Sequence, residues 1–153
     1  MQDKSSGPGT LYTIGFQGKS VEEVLDKLKR NGVSLLLDIR ENALSRKVGF
    51  SKNALASSCE AAGIGYLHRR ELGPPRPLRN RLKQTGDYGM LMRKYSLYLK
   101  DHVDVLQEIA GLVEEKKICL FCFEHEHAQC HRSALAEKLT EMCGNGMEVV
   151  NLQ

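Results

Sequence analysis

Five short apolar segments alternate with segments of helical periodicity along this chain, and that alternation restricts the folds it can adopt. The apolar segments are typical of β-strands and span residues 11–14, 33–39, 64–68, 118–123 and 147–152. Strands separated by helices require right-handed crossovers, which produce a mainly parallel sheet. The sequence therefore predicts a single α/β domain over residues 11–153. We expect a three-layer sandwich with about five strands and helices on both faces, preceded by a flexible lead-in at residues 1–10.

Capping signals and turn residues mark the ends of the predicted helices. Ser20 and Glu23 form a capping box, in which the Ser20 hydroxyl accepts a hydrogen bond from the Glu23 amide. Gly32 follows the last residues of that helix and supplies its stop. Ser51 is expected to cap a second helix in the same way. Further helices are predicted over residues 88–100, 103–116 and 133–143.

The positive charge of the chain is concentrated between Arg69 and Lys100. This segment contains nine basic and two acidic residues, a net charge of +7, whereas the whole chain carries +3. Residues 69–87 are predicted to form a basic loop, because prolines at positions 74, 75 and 77 oppose a continuous helix. A local excess of one charge suggests an anionic partner, and the alternative is a solvated loop without a ligand.

Composition indicates a globular protein of a reducing compartment. The chain is 41% apolar and 27% charged, and none of its apolar runs reaches the length of a membrane span. Its five cysteines are an odd number without the spacing of a disulfide framework. We therefore expect free thiols, a cytoplasmic location and no membrane partner.

Polar residues follow the predicted strands at their carboxyl ends, the edge of a parallel sheet at which ligands bind. The first and fourth strands contribute pocket residues there, namely Gly15, Phe16, Gln17 and Cys122. Arg40 and Arg132 are predicted to hold a phosphate or carboxylate between them. Further phosphate contacts are expected from Ser45, Arg46, His68 and Arg69.

Residues 119–132 contain three of the five cysteines and three of the five histidines. Cys130, His131 and Arg132 open the last predicted helix, where free amides favour anions and lower a thiol pKa. Cys130 is therefore a candidate nucleophile, and its alternative is a small buried thiol. A zinc site is less favoured because the spacing is unusual, and its ligands would be Cys122, His125, His127 and Cys130. No cofactor is predicted.

Asp38 and Glu124 are the carboxylates best placed for acid–base catalysis, since each lies at the end of a predicted central strand. Burial of two neighbouring carboxylates would push their pKa values apart. His131 and Cys130 complete the set of candidate catalytic residues. An equally strong alternative for Asp38 is an ion pair with Arg40 or Arg132 that shapes the pocket.

Several short motifs occur in order along the chain: TIG at 13–15, DIR at 38–40, GFS at 49–51, H with ELG at 68–73, CFE at 122–124 and CHR at 130–132. Together they resemble the family called domain of unknown function 488, whose members are mainly small, uncharacterised microbial proteins. The resemblance covers residues 11–152 and implies a cytosolic α/β architecture and an important pocket, without implying a reaction. Members often carry His and Ser after the first motif, where this chain has Phe16 and Gln17.

The leading functional hypothesis is an enzyme that acts on a nucleic acid or nucleotide, with hydrolysis of an N-glycosidic or phosphodiester bond as the favoured reaction. Asp38 and Glu124 would supply the chemistry, and residues 69–83 would follow the phosphate backbone. One alternative is a nucleic-acid-binding module without catalysis, whose affinity would fall steeply with salt. The other is a thiol-dependent enzyme, a sulfurtransferase or a redox protein, with Cys130 as its nucleophile.

Overall fold

The structure, a computed structural model, describes residues 9–123, 131–144 and 146–153. Its strands form one all-parallel sheet and are β1 (Thr10–Gly15), β2 (Leu35–Asp38), β3 (Gly65–His68), β4 (Ile118–Cys122) and β5 (Glu148–Leu152). Their spatial order is β3-β2-β4-β1-β5. The predicted parallel sheet of about five strands is confirmed, and each strand begins and ends within two residues of its expected bounds.

Helices cover both faces of the sheet and are α1 (Val21–Arg30), α2 (Lys52–Ala61), α3 (Arg76–Thr85), α4 (Tyr88–Leu99), α5 (Val103–Glu115) and α6 (His131–Cys143). The chain first moves from β1 to β2 to β3 in one direction across the sheet, through α1 and α2. It then moves in the opposite direction to β4 and β5, through α3 to α6. Because crossovers are right-handed, the two directions place their helices on opposite faces. The predicted three-layer sandwich is confirmed.

Two hydrophobic clusters lie on the two faces of the sheet. Successive side chains of β2 point to opposite faces of the sheet, so that Leu36 belongs to one cluster and Leu37 to the other. Val24 of α1 packs in the first cluster, whereas Ile109 of α5 packs in the second. None of the helices in the described ranges is both long enough and apolar enough to cross a membrane.

The two predicted helix caps differ in outcome. Ser20 accepts from the Glu23 amide at 3.1 Å, and the Glu23 carboxylate accepts from the Ser20 amide at 2.9 Å, so that the capping box is confirmed. Ser51 is the N-cap residue of α2, but its hydroxyl makes no capping hydrogen bond. It accepts from the Ser45 amide at 2.9 Å and donates to the Ser45 carbonyl at 3.1 Å. Ser51 therefore fastens the loop that follows β2.

The prediction of a basic loop at 69–87 is wrong for most of that segment, because residues 70–72 form a 3-10 turn and Arg76–Thr85 form α3. Pro75 is the N-cap residue and Pro77 lies in the first turn. Amides of the first helical turn have no acceptor within the helix, so a proline there costs no hydrogen bond. Gly86 ends α3 in the left-handed conformation, with φ of 68°.

Candidate functional site

The loops after β1 and β2 meet the end of β4 at the carboxyl edge of the sheet. Helix α6, which follows β4, packs on the face opposite to α1 and α2, and this opens a crevice at the end of β4. A cavity of about 260 Å³ lies there and is called the inner pocket below. Phe16, Arg40, Cys122 and His131 contribute to its walls, one from each converging segment. The structure thus brings together predicted residues from four parts of the chain.

An ion pair between Asp38 and Arg40 lies behind the inner pocket. The Arg40 side chain donates from Nε to Asp38 Oδ1 at 2.8 Å and from Nη2 to Oδ2 at 2.6 Å. The Arg40 amide also donates to Oδ1, at 3.2 Å, and the Tyr66 hydroxyl donates to Oδ2. Asp38 is fully buried and Arg40 is 8% exposed. The bidentate geometry fixes the plane of the guanidinium relative to the sheet.

This arrangement favours a positioning role for Asp38. Each of its two oxygens already accepts two hydrogen bonds, which uses the acceptor capacity of a carboxylate. Asp38 does not line the inner pocket, whereas Arg40 does. Burial raises the pKa of Tyr66 above its usual range, and the hydrogen bond to Asp38 raises it further. Tyr66 therefore stays a neutral hydroxyl donor to the Asp38 carboxylate.

Aromatic rings support the guanidinium of Arg40 from one side. Its Cζ lies 5.5 Å from the ring centroid of Phe16 and 5.2 Å from that of Phe121, within the range of a cation–π contact. Phe16 also stacks on Phe50, with ring centroids 4.3 Å apart. The remaining nitrogen, Arg40 Nη1, is buried and has no hydrogen-bond partner among the described residues. A buried donor without an acceptor costs about 1–3 kcal/mol of stability. A ligand that reaches Arg40 would supply that acceptor.

His131 connects the start of α6 to the end of β2. Its Nε2 lies 3.0 Å from the carbonyl oxygen of Ile39, and its ring contacts Tyr95 edge-on at 5.3 Å. His131 is 8% exposed and lines the inner pocket. Arg132, the next residue, is 1% exposed and does not contribute to the walls of that pocket. A ligand in the inner pocket would therefore contact His131, whereas Arg132 is buried away from the pocket.

A second, wider cavity of about 660 Å³ adjoins the inner pocket and is called the basic groove. Its basic lining residues come from four segments and are Lys52, His68, Arg70, Arg76 and Arg79. Glu41 is the carboxylate among its lining residues, and its Oε1 accepts from Arg79 Nη2 at 2.5 Å. His68 Nε2 lies 2.7 Å from the Arg40 carbonyl oxygen. The groove and the inner pocket share Glu41, Asn42, Leu44 and Arg79.

Some predicted residues take other positions. Arg69 does not line either cavity, because its guanidinium pairs with Glu108 of α5 at 2.5 Å and Nε donates to the same carboxylate at 3.0 Å. Arg46 is exposed and lines neither cavity. Ser45 lines the inner pocket, and its hydroxyl accepts from the Lys47 amide at 3.1 Å.

The end of β1 contributes backbone as well as side chains to the site. Gly15 pairs with Cys122 in the sheet, and the Phe16 amide extends that ladder by donating to the Cys122 carbonyl at 3.0 Å. The Gln17 amide donates to the Phe123 carbonyl at 2.8 Å, and the Gln17 side chain is exposed. These bonds hold the loop after β1 against Cys122 and Phe123 at the pocket.

The two cysteines of β4 point to opposite faces of the sheet. Cys119 lies in the cluster under α1 and α2, whereas Cys122 lies in the other cluster and lines the inner pocket. Burial raises the pKa of the Cys119 thiol far above its usual range. Cys119 is therefore a core residue, and the two thiols do not form a redox pair.

Four predicted residues lie outside the described part of the chain, namely Glu124, His125, His127 and Cys130. Their proposed catalytic and zinc-binding roles stay predictions. Within the described ranges, no group of three or more His, Cys, Asp or Glu residues is arranged to hold a metal ion.

Some residues at or near the site were predicted only as part of a segment, or not at all. Arg70, Arg76 and Arg79 belong to residues 69–83, which were expected to follow a phosphate backbone as an irregular loop. The proline in the first turn of α3 is the signal that would have placed Arg76 and Arg79 on a helix. Lys19 is also buried, with 6% of its surface exposed, and its Nζ donates to the Gly15 carbonyl at 3.1 Å. Burial lowers the pKa of Lys19, and the nearby charges of Lys27 and Arg132 add to this. No motif indicates this buried lysine.

The fold and the site together define a class: a parallel α/β protein with a partly apolar pocket and a basic groove at the carboxyl edge of its sheet. Residues 20–139 match the model of the family described as Domain of unknown function DUF488, and the chain belongs to this family. The resemblance of its motifs to that family is thus confirmed. No curated protein and no solved structure matches the chain.

Proposed function

We propose that this protein binds a nucleic acid or nucleotide and that the phosphates lie on the basic groove. The observation that carries the proposal is that Lys52, Arg70 and Arg76 line this groove without an ion-pair partner among the described residues. Several cations along one open groove match the repeated charge of a phosphate backbone. The groove also lies at the sheet edge where ligands of parallel α/β proteins bind.

Charge pairing favours the groove over the inner pocket as the phosphate site. Arg40 is neutralised by Asp38, and Arg79 by Glu41. Without separating the Asp38–Arg40 ion pair, a phosphate could reach only Nη1 of Arg40, whose charge the Asp38 carboxylate already balances; breaking such a buried pair costs about 3–5 kcal/mol. The cations of the groove lose only water when a phosphate arrives. We therefore place the phosphate on the basic groove, and not between Arg40 and Arg132 as the sequence suggested.

Catalysis is a separate question from binding. The hydrolytic hypothesis relied on Asp38 and Glu124, and the hydrogen bonds of Asp38 favour a structural role for it. Glu124 and Cys130 lie outside the described residues, so hydrolysis and thiol chemistry both stay predictions.

We propose a cytoplasmic location, which the free thiols of Cys59, Cys119 and Cys143 support.

Fluorescence anisotropy with a fluorescein-labelled single-stranded DNA tests the proposal. We expect binding that weakens as salt rises, because cations of the protein displace counterions from the phosphates. An Arg70→Ala/Arg76→Ala double variant should bind more weakly at low salt. Its slope of log K against log salt should be smaller by about 1.4, since each lost phosphate contact on a single strand contributes about 0.7.

The matched control is Arg93→Ala/Lys94→Ala, which removes the same charge from exposed positions of α4 that line neither cavity. Its salt slope should stay close to that of the wild type. Equal losses in the two double variants would show that net charge, and not the groove, determines binding. An absence of salt-dependent binding by the wild type would contradict the proposal altogether.

A further inference from the structure

We propose that the inner pocket binds one unpaired nucleobase, beside a phosphate on the basic groove. This inference rests on the proposed function: the basic groove would hold the phosphates of the ligand, and the inner pocket would hold its base. The pocket of about 260 Å³ equals roughly nine water molecules at about 30 Å³ each. That volume accommodates a single heterocyclic ring system.

The walls of the inner pocket are suited to a flat, apolar surface. Its buried part is formed by Phe16, Leu91 and Cys122, which are all at most 3% exposed. Its rim carries two unusually exposed apolar side chains, Leu44 at 71% and Phe123 at 46%. The Phe123 ring stands edge-on to Phe16, with centroids 5.2 Å apart. An exposed aromatic ring beside a concave apolar wall is the arrangement on which bases of single strands stack.

The polar groups of the inner pocket favour a neutral ligand with hydrogen-bonding edges. Both arginines that line it are already paired with carboxylates, so the pocket offers little net charge to an anion. Arg40 still offers a donor at Nη1, and Asn42 adds an exposed side-chain amide. Nucleobases carry carbonyl oxygens and ring nitrogens that accept from such groups, and arginine and asparagine commonly contact them.

The position of the pocket relative to the groove requires a base that is free of its partner strand. The two cavities share four lining residues, so a base in one is adjacent to a phosphate in the other. In a duplex, each base is stacked and paired, and it must be extruded before a protein pocket can enclose it. The ligand is therefore a single strand or a free nucleotide, which share this base-and-phosphate chemistry.

Two labelled strands of equal length separate base recognition from phosphate binding. One carries ordinary bases and the other has abasic sugar units, so that both have the same phosphate charge. We expect the abasic strand to bind about 5- to 150-fold more weakly, which is the range for losing one stacked base. The salt slopes of the two strands should be equal. A duplex of the same sequence should also bind more weakly than the single strand.

Phe123→Ala should reduce affinity for the base-bearing strand toward that of the abasic strand, while affinity for the abasic strand stays unchanged and reports intact folding. Leu97→Ala, at an exposed position of α4 outside both cavities, is the matched control and should change neither. Displacement of the strand by a nucleoside monophosphate, but not by ribose phosphate, would identify a free nucleotide as the ligand. Without such displacement, the base recognised is that of a strand.

Failure of this inference differs from failure of the proposed function. If both strands bind equally and with the same salt dependence, the groove binds phosphates and the base pocket is refuted. If Phe123→Ala weakens both strands by the same factor, the ring supports the groove and base recognition is again refuted. If neither strand binds at low salt, the proposed function and this inference both fail.

Discussion

Replacing Asp38 with asparagine gives the sharpest test of how the site is held together. Asp38 is fully buried and accepts from the side chain and amide of Arg40 and from the hydroxyl of Tyr66. An asparagine side chain has nearly the same shape, but it carries no charge and replaces one acceptor oxygen with an NH₂ donor. In either orientation that donor would face an N–H group of Arg40, which cannot accept a hydrogen bond. The Arg40 charge would then be buried without its counter-charge.

The expected loss is large because both charges are enclosed by protein. Removing one partner of a buried ion pair costs about 3–5 kcal/mol, most of it from the unpaired charge that remains. For a chain of 153 residues, 1 kcal/mol lowers the melting temperature by about 2–4 °C. Asp38→Asn should therefore lower the melting temperature by about 6–20 °C. The Arg69–Glu108 pair has side chains 29% and 42% exposed, so Glu108→Gln should cost about 0–1 kcal/mol.

Urea unfolding followed by circular dichroism measures both losses on one scale, with stability extrapolated linearly to water. An Asp38→Asn/Arg40→Met double variant should lose less than the sum of the single variants, since it also removes the stranded charge. If Asp38→Asn costs no more than Glu108→Gln, Arg40 is not held as an enclosed ion pair. The charge of Arg40 would then not be balanced by Asp38, and electrostatics would no longer favour the groove over Arg40 as the phosphate site.

Two further predictions concern packing and pH. Gly73→Ala should destabilise the fold by about 1–3 kcal/mol in urea unfolding, because its Cβ would lie 2.1 Å from the backbone nitrogen of Glu41. Gly111→Ala, with open space at its Cβ within α5, should be neutral or stabilising by up to about 1 kcal/mol, and an equal loss at both positions would contradict this reasoning. Burial raises the pKa of the Cys59 thiol from 9.0 to about 11, so stability from this group is present below pH 9 and is lost between pH 9 and about 11. Cys59→Ala should lack that part of the alkaline loss, and identical pH profiles of wild type and variant would refute it.

The order of strands and helices is strongly encoded in the sequence. Apolar runs such as 118–123 are long enough to be strands buried on both faces, and glycines or capping residues separate them from the helices. Right-handed crossovers then determine which helices share a face. Strand order is different, because β4 inserts between β1 and β2 through contacts across the whole sheet. Local patterns carry no information on that insertion.

The site was predictable at the level of strand ends and less so at the level of single side chains. The motif at 38–40 correctly indicated an ion pair between Asp38 and Arg40 as one of two alternatives. The burial of the Asp38–Arg40 pair favours the ion pair over catalysis, and that burial depends on Tyr66 and Phe121, which come from other strands. Arg69 and Arg70 are adjacent in sequence, yet they point to different surfaces because a 3-10 turn begins between them.

The largest difference between prediction and structure also strengthens the case for phosphate binding. A disordered basic loop would have to lose conformational freedom before it could hold phosphates in line, at about 1–2 kcal/mol for each residue that is fixed. Arg76 and Arg79 instead lie three residues apart on one face of α3 and both line the groove. Arg79 is held further by Glu41 and by the Pro74 carbonyl, which accepts from its Nε at 3.1 Å. Arg76 is thus carried on a folded helix, beside the paired Arg79, before any ligand arrives, and such preorganisation increases affinity without additional contacts.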